Sequence, residues 1–207
     1  MAGGSLMAQV RKPEVRARIE SAALRCFAEQ GYPGTSMAAI AAAAGTAPGN
    51  VYRYFPSKET LFAAVVPGDL ADRHDELLDG RVAALAERSP RTSPAAGELL
   101  DFWLDHRLAV VVLLDRAAGT PFAGYPAGFV ARLTEHVLRS LDVPPSAAQR
   151  KVLEIVFDNT RRTLAEILRT AEDPAAARAM VSAFWSYQLP GLDGLLGFLR
   201  EGAAGAR

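Results

Sequence analysis

Cysteine is almost missing from this chain: Cys26 stands alone among 207 residues. One thiol can form no internal disulfide and no cysteine-based metal site, which fits a reducing cytoplasm. Histidine is also scarce, and His74, His106 and His136 lie far apart in sequence. No metal-ligand spacing and no serine elbow accompanies them, so the chain is expected not to be an enzyme and to hold neither metal nor cofactor. Long apolar runs are missing too. The bulkiest, residues 108–114, falls far short of the roughly 20 residues that span a bilayer. Residues 1–9 lack the charged and apolar regions of a signal peptide, so a cytoplasmic protein with no membrane partner is expected.

What is present describes a globular protein with room for one large or two small domains, since 50% of residues are hydrophobic and 22% charged. Net charge is zero, but up to Val66 there are seven Lys and Arg against four Asp and Glu, while the remainder carries sixteen against nineteen. The basic end is the N-terminal one.

Residues 1–12 read as a flexible arm. From Pro13 the pattern turns helical, with Val15, Ile19, Ala22, Ala23, Cys26 and Phe27 at spacings of three and four. Pro13 suits a first turn, and Gly31 suits the position past a helix end. Cys26 reads as a small buried hydrophobe rather than a redox sensor. Thr35 or Ser36 can cap a second helix carrying Met37, Ile40, Ala41 and Ala44, and Gly45 ends it. A short helix then runs from Pro48 to about Phe55. Val51 and Phe55 point one way, Asn50, Arg53 and Tyr54 occupy the remaining surface, and Tyr52 can face either way. Asn50 suits a base edge in the major groove, Arg53 a guanine or phosphate, and tyrosine hydroxyls suit phosphate oxygens. Pro56 stops this helix and Ser57 caps the next, with Lys58 in its positive first turn. Two helices meeting around a very short third one form a helix-turn-helix pattern.

The string Thr35-Ser36-Met37-(x2)-Ile40-Ala41-(x2)-Ala44-Gly45-(x3)-Gly49-Asn50-Val51-Tyr52-Arg53-Tyr54-Phe55-(x2)-Lys58-Glu59-(x)-Leu61-Phe62 resembles the DNA-binding signature of the tetracycline-repressor (TetR) family of one-component regulators. The resemblance covers about the first third of the chain. It implies that Thr35 and Ser36 hold a phosphate at the start of the second helix. Pro48, Gly49, Asn50 and Tyr54 match the base- and phosphate-facing positions of the recognition helix, and Tyr52 and Lys58 match residues that grip the backbone. One departure is Ala47, where the family often has a capping serine. Either Thr46 substitutes, or the helix start is weaker by about 1 kcal/mol.

Beyond Val66 the residues speak alone. Pro67-Gly68 breaks or kinks the fourth helix, and 70–87 reads helical through Leu77, Leu78, Val82 and Leu85, with a loop over 88–94. One long helix is expected over about 94–118, where Leu99, Leu100, Phe102, Trp103, Leu108 and 110–114 leave no clear solvent face, so it should be central. Asp101, Asp105, His106, Arg107 and Asp115 must then be ion-paired, lie on exposed edges or line a cavity. His106 and Arg107 are the preferred polar anchors of such a pocket. The turn-rich segment 119–128 carries Phe122 and Tyr125, suited to a lid, and 129–141 is amphipathic, with His136 on its surface. Pro144-Pro145-Ser146 opens the longest helix, to about 171. Pro174 opens the last, with a kink at Leu189-Pro190-Gly191. Phe102, Trp103, Phe122, Tyr125, Phe129, Phe157 and Trp185 describe either an aromatic-lined cavity or ordinary core.

The last two helices carry more apolar surface than one chain covers, and pairing with their copies would cover it, as TetR-like proteins do. Val152, Ile155, Met180, Phe184 and Tyr187 are the expected interface. The expectation is therefore all-α: a helix-turn-helix head over 13–58 and a helical ligand-binding and dimerisation bundle over 59–207. A homodimer would place two recognition helices in successive major grooves of a pseudo-palindromic double-stranded operator, and an unidentified small-molecule effector would release it. The alternative is a helical interaction or ligand-binding protein with a non-functional DNA head.

Overall fold

Helix starts in this chain are set by local chemistry. The computed structural model describes residues 12–86, 93–141 and 144–204, which hold ten α-helices and no strand. Residues 1–11 of the arm expected over 1–12, residues 88–92 of the loop expected over 88–94 and the side chain of Leu85 lie outside the described residues. Helix α1 (Pro13–Gly34) opens on a proline, whose missing N–H costs nothing in a first turn, and bends at Gly31. Helix α2 (Met37–Ala43) is capped by Ser36, whose hydroxyl accepts from the Ala39 N–H at 3.1 Å. Helix α3 (Pro48–Tyr54) has no side-chain cap. Ser57 caps α4 (Lys58–Val65), and α5 (Gly68–Ala86) follows the expected break.

The single helix expected over 94–118 is two. Helix α6 (Pro94–Asp105) ends, and α7 (Arg107–Asp115) begins, at His106, whose φ of −113° and ψ of 28° are not helical. No glycine or proline marks the break. It coincides with a tertiary contact, Arg107 donating to the Ala171 carbonyl, while the His106 ring packs one turn back on Phe102 with centroids 4.7 Å apart. Helix α8 (Tyr125–Arg139) starts four residues earlier than expected, with Pro126 in its first turn. Helix α9 (Ala147–Thr170) has a capping box of Ser146 and Gln149, and α10 (Pro174–Ala204), at 31 residues against 24, is the longer of the two. It passes through Pro190, where a kink was expected. Beyond that proline, Leu192, Leu195, Leu196 and Leu199 pack with Val137, Leu153 and Phe157, and this burial outweighs one lost backbone hydrogen bond.

Helix α7 is the axis of the molecule, touching α1, α6, α8 and α9, and residues 109–114 are all buried. The head is built on α1. Phe27 packs on Phe62 of α4 at 5.4 Å and on Tyr32 at 5.7 Å, so truncating Phe27 should cost about 3–5 kcal/mol. Head meets body directly, through Phe62 against Phe122 at 6.3 Å and an ion pair of Glu29 with Arg169 at 3.0 Å. The charges around α6 and α7 are paired or exposed: Asp101 with Arg178 at 2.6 Å, Asp115 with Arg161 at 3.1 Å, Asp105 and His106 on the surface. Cys26 is buried, which raises its thiol pKa.

Candidate nucleic-acid interface and sensing cleft

The turn between α2 and α3 is closed by backbone alone. Gly45, with φ of 61°, gives its N–H to Ala42, and Thr46 gives its N–H to Ala41, a Schellman ending that needs a left-handed residue where glycine stands. Outward positions of α2 are Ala38, Ala42 and Ala43, all exposed and small, so this backbone can approach another surface closely. Helix α3 is seated by Val51 and Phe55, both buried, and presents Pro48, Gly49, Tyr52 and Arg53 outward. Tyr52 faces solvent at 51% exposure, which settles its orientation.

Not every residue expected at this surface lies on it. Thr35 is 2% exposed, and its hydroxyl donates to the carbonyls of Cys26 and Gly31, so it braces the end of α1 and does not reach a phosphate. The Lys58 ammonium lies 4.2 Å from the Tyr32 ring centre and donates to the Tyr32 and Thr35 carbonyls at 2.9 and 3.0 Å. Two of its three N–H groups thus staple α4 to α1. Tyr54 is half-buried, and its hydroxyl accepts from the Lys12 N–H at 3.0 Å, which fixes the entry of α1 rather than a base edge. Asn50 gives its amide N–H to Thr46 Oγ1 at 2.8 Å, keeping its carbonyl side free for a second partner. Thr46 therefore does not cap α3 in place of Ala47. Tyr32 donates to Glu59 at 2.9 Å; burial first and that carboxylate second push its phenol pKa up to about 12.

In the body, a cleft of about 420 Å³ opens between α5, α6 and α10, walled by Leu99, Trp103, Val181 and Trp185 with Arg81 and Ser93 at one side. Phe129 lines a separate small cavity of about 50 Å³ that shares Trp103 and Trp185 with the cleft. Other expected pocket residues lie elsewhere. His106 is exposed, Arg107 is spent on the Ala171 carbonyl, Phe102 is core beside His74, Phe157 belongs to the cluster around Leu153, and Phe122 borders a separate cavity of about 200 Å³ under Tyr32 and Phe62. Tyr125 does not lid the cleft; its hydroxyl meets His74 Nδ1 at 2.7 Å and Asp75 at 2.6 Å. Sequence reasoning missed His74 and Arg81. His74 is fully buried, and burial, then the charge of Arg132, lowers its pKa to about 4. Its partners sit 29 and 51 residues away, so no local spacing announces them.

Residues 19–65 match the family described as bacterial regulatory proteins, tetR family. Across 179 residues the chain is 29% identical to the HTH-type transcriptional repressor Rv1474c of Mycobacterium tuberculosis, covering 80% of this chain and 88% of that one. It is 32% identical over 102 residues to the HTH-type transcriptional regulator BetI of Rhizobium meliloti, covering 45% of this chain and 50% of that protein. Its fold resembles the crystal structure of a TetR family transcriptional regulator from Chloroflexus aurantiacus, with a TM-score of 0.50 at 20% identity, covering 93% of this chain and 94% of the other. A helix-turn-helix head over the matched residues, carried on an all-helical body, makes this chain a TetR-family, DNA-binding transcriptional regulator.

Proposed function

We propose that this regulator is a homodimeric, cytoplasmic repressor of a pseudo-palindromic double-stranded operator, released when a small molecule occupies the cleft beside Trp103 and Trp185. The observation that carries this reading is the outward face of α3: a rigidly seated short helix with Tyr52 and Arg53 in solvent, beside a wall of alanines. In it, Asn50 and Arg53 read base edges, and Tyr52 donates to a phosphate. Ser36, Pro48 and Gly49 bring the backbone close, and Lys58 adds its remaining N–H to the phosphate field. Val152, Ile155, Met180 and Tyr187 stand exposed on α9 and α10, with Phe184 half-buried beside them; covering them is the role given to the second copy. Release follows if the effector favours a different spacing of the two heads, a coupling of about 1–3 kcal/mol.

Selection of bound sequences from a random DNA pool, followed by gel shifts at moderate salt, tests the reading. A palindromic preference with half-sites about one helical turn apart is expected. Binding without any sequence preference would return the chain to the class of helical interaction proteins. Sedimentation of Tyr187→Asp beside the parent chain tests the dimer, which the buried charge should dissociate.

A further inference from the structure

We infer that the cleft between α5, α6 and α10 takes an amphipathic organic monoanion, an apolar body carrying one carboxylate, with Arg81 as its counter-ion and Trp103 and Trp185 as its walls. The inference rests on the reading of this cleft as the effector site. At about 420 Å³ the cleft lies within the range of small-molecule sites, about 300–1,000 Å³. Its surface is mostly carbon, and among its described lining residues Arg81 is the single charge, with no aspartate or glutamate.

What distinguishes Arg81 is how weakly it is partnered among the described residues. Among the described residues the other half-buried or buried arginines of the body have closer partners or a carboxylate: Arg132 has Asp75 and Asp79, Arg161 has Asp115 and Asp158, Arg169 has Glu29 and Glu166, Arg107 has the Ala171 carbonyl, and Arg116 has Asp115 at 3.4 Å although its Nε is unpaired. Arg81 makes one long hydrogen bond, 3.3 Å to Ser93 Oγ, an oxygen already accepting from the Ala96 N–H as the cap of α6. Burial lowers its pKa, and no carboxylate among the described residues opposes that shift. A guanidinium withdrawn from water without an anion is poorly satisfied, and its planar fork matches a carboxylate in a bidentate pair. A cationic ligand would meet like charge there, and a neutral one would leave the guanidinium as it is. The indole faces accept flat or acyl carbon equally well.

Trp103 and Trp185 are the chain's two tryptophans, so intrinsic emission reports the cleft directly. The full chain is titrated with octanoate beside octanol, and with phenylbutanoate beside phenylbutanol, following emission and heat of binding. The acids should bind about ten- to a hundredfold more tightly than their alcohols. Arg81→Gln should erase that preference while still binding both, and Arg81→Lys should keep part of it. Equal affinity for acid and alcohol, binding of neither, or an acid preference untouched in Arg81→Gln would each overturn the assignment. If the acids bind through Arg81 yet leave the operator complex intact in a gel shift, the anion site stands and the effector reading falls.

Discussion

The indole N–H of Trp103 donates to Nε2 of His74 across 3.0 Å, and this contact orders every hydrogen bond behind it. With Nε2 accepting, the proton of a neutral ring sits on Nδ1 and is given to the Tyr125 hydroxyl at 2.7 Å. That hydroxyl donates to Asp75 at 2.6 Å, and Arg132 holds the other carboxylate oxygen at 2.6 Å. A wall of the cleft is tied in this way to α5 and α8, and the tie is complete only while His74 is neutral.

A pH dependence follows. The folded pKa of His74 is lowered from 6.5 to about 4, so the unfolded chain takes up a proton that the folded one refuses. The stability that neutral His74 contributes is whole above about pH 6.5 and is lost as pH falls toward 4, reaching about 2 kcal/mol by pH 5. Urea unfolding at pH 7 and pH 5 should show the parent losing about 2 kcal/mol more than His74→Gln over that interval. Equal losses in the two proteins would mean that His74 is not buried neutral.

Tyr52 and Lys58 sit near one another on the head yet should fail in different ways. Tyr52 makes no side-chain hydrogen bond among the described residues and is half in solvent, so Tyr52→Ala should weaken binding to all DNA sequences and leave the unfolding midpoint in place. Lys58 joins α4 to two carbonyls near the end of α1. Lys58→Ala should cost about 1–2 kcal/mol of stability, after discounting for its partial exposure. Denaturant midpoints measured beside gel shifts separate the two; a Lys58→Ala protein as stable as the parent would make Lys58 a phosphate ligand and nothing more.

Most of the head was legible because its boundaries are written in adjacent residues. Ser36, Gly45, Pro56 and Ser57 each act within a few positions of themselves, and the helices stop and start where they stand. The orientation of Lys58 and Tyr54 was not legible, since a lysine or tyrosine near a DNA surface carries the same letter whether it faces out or braces the fold. The body was read less well for the same reason. His106 ends α6 without any breaker residue, where its neighbour Arg107 contacts the end of α9. Pro190 is a breaker that burial on both sides overrode. Trp103 and Trp185 line the cleft and Phe129 lines a small cavity that shares them, but Arg81, the one charge among the described lining residues, sits on a helix that reads as polar surface.

Ala47 occupies the cap position of α3 with φ of −74° and ψ of 147°, the extended backbone of a capping residue, but has no oxygen to offer. Ala47→Ser should place a hydroxyl within reach of the Asn50 N–H and stabilise the head by about 1 kcal/mol. The backbone is already in place, so no rearrangement opposes the gain. A rise in urea midpoint with unchanged operator preference is the expected result, and an unchanged midpoint would show that the Ala47 carbonyl, which already accepts from that N–H at 2.9 Å, serves it as well as a serine can.

Gly119 tests how the body speaks to the head. The linker at Pro67 and Gly68 is the covalent route, yet α1 also lies directly on α7, and Gly119 stands just past the end of α7 facing Tyr32 and Pro33. Its φ of 75° disfavours any side chain, and an added Cβ would come within 3.3 Å of the Pro33 ring. Gly119→Ala should therefore cost about 1–2 kcal/mol from backbone strain and push the end of α1 away from the body. Coupling between two sites needs contacts that differ between the two states, and loosening this one should reduce it. The ratio of operator affinities with and without octanoate should move toward unity, while octanoate binding to the cleft, well removed in sequence and lined by other residues, stays as in the parent. A variant that is destabilised but keeps the full ratio would assign the whole signal to the covalent linker and α4.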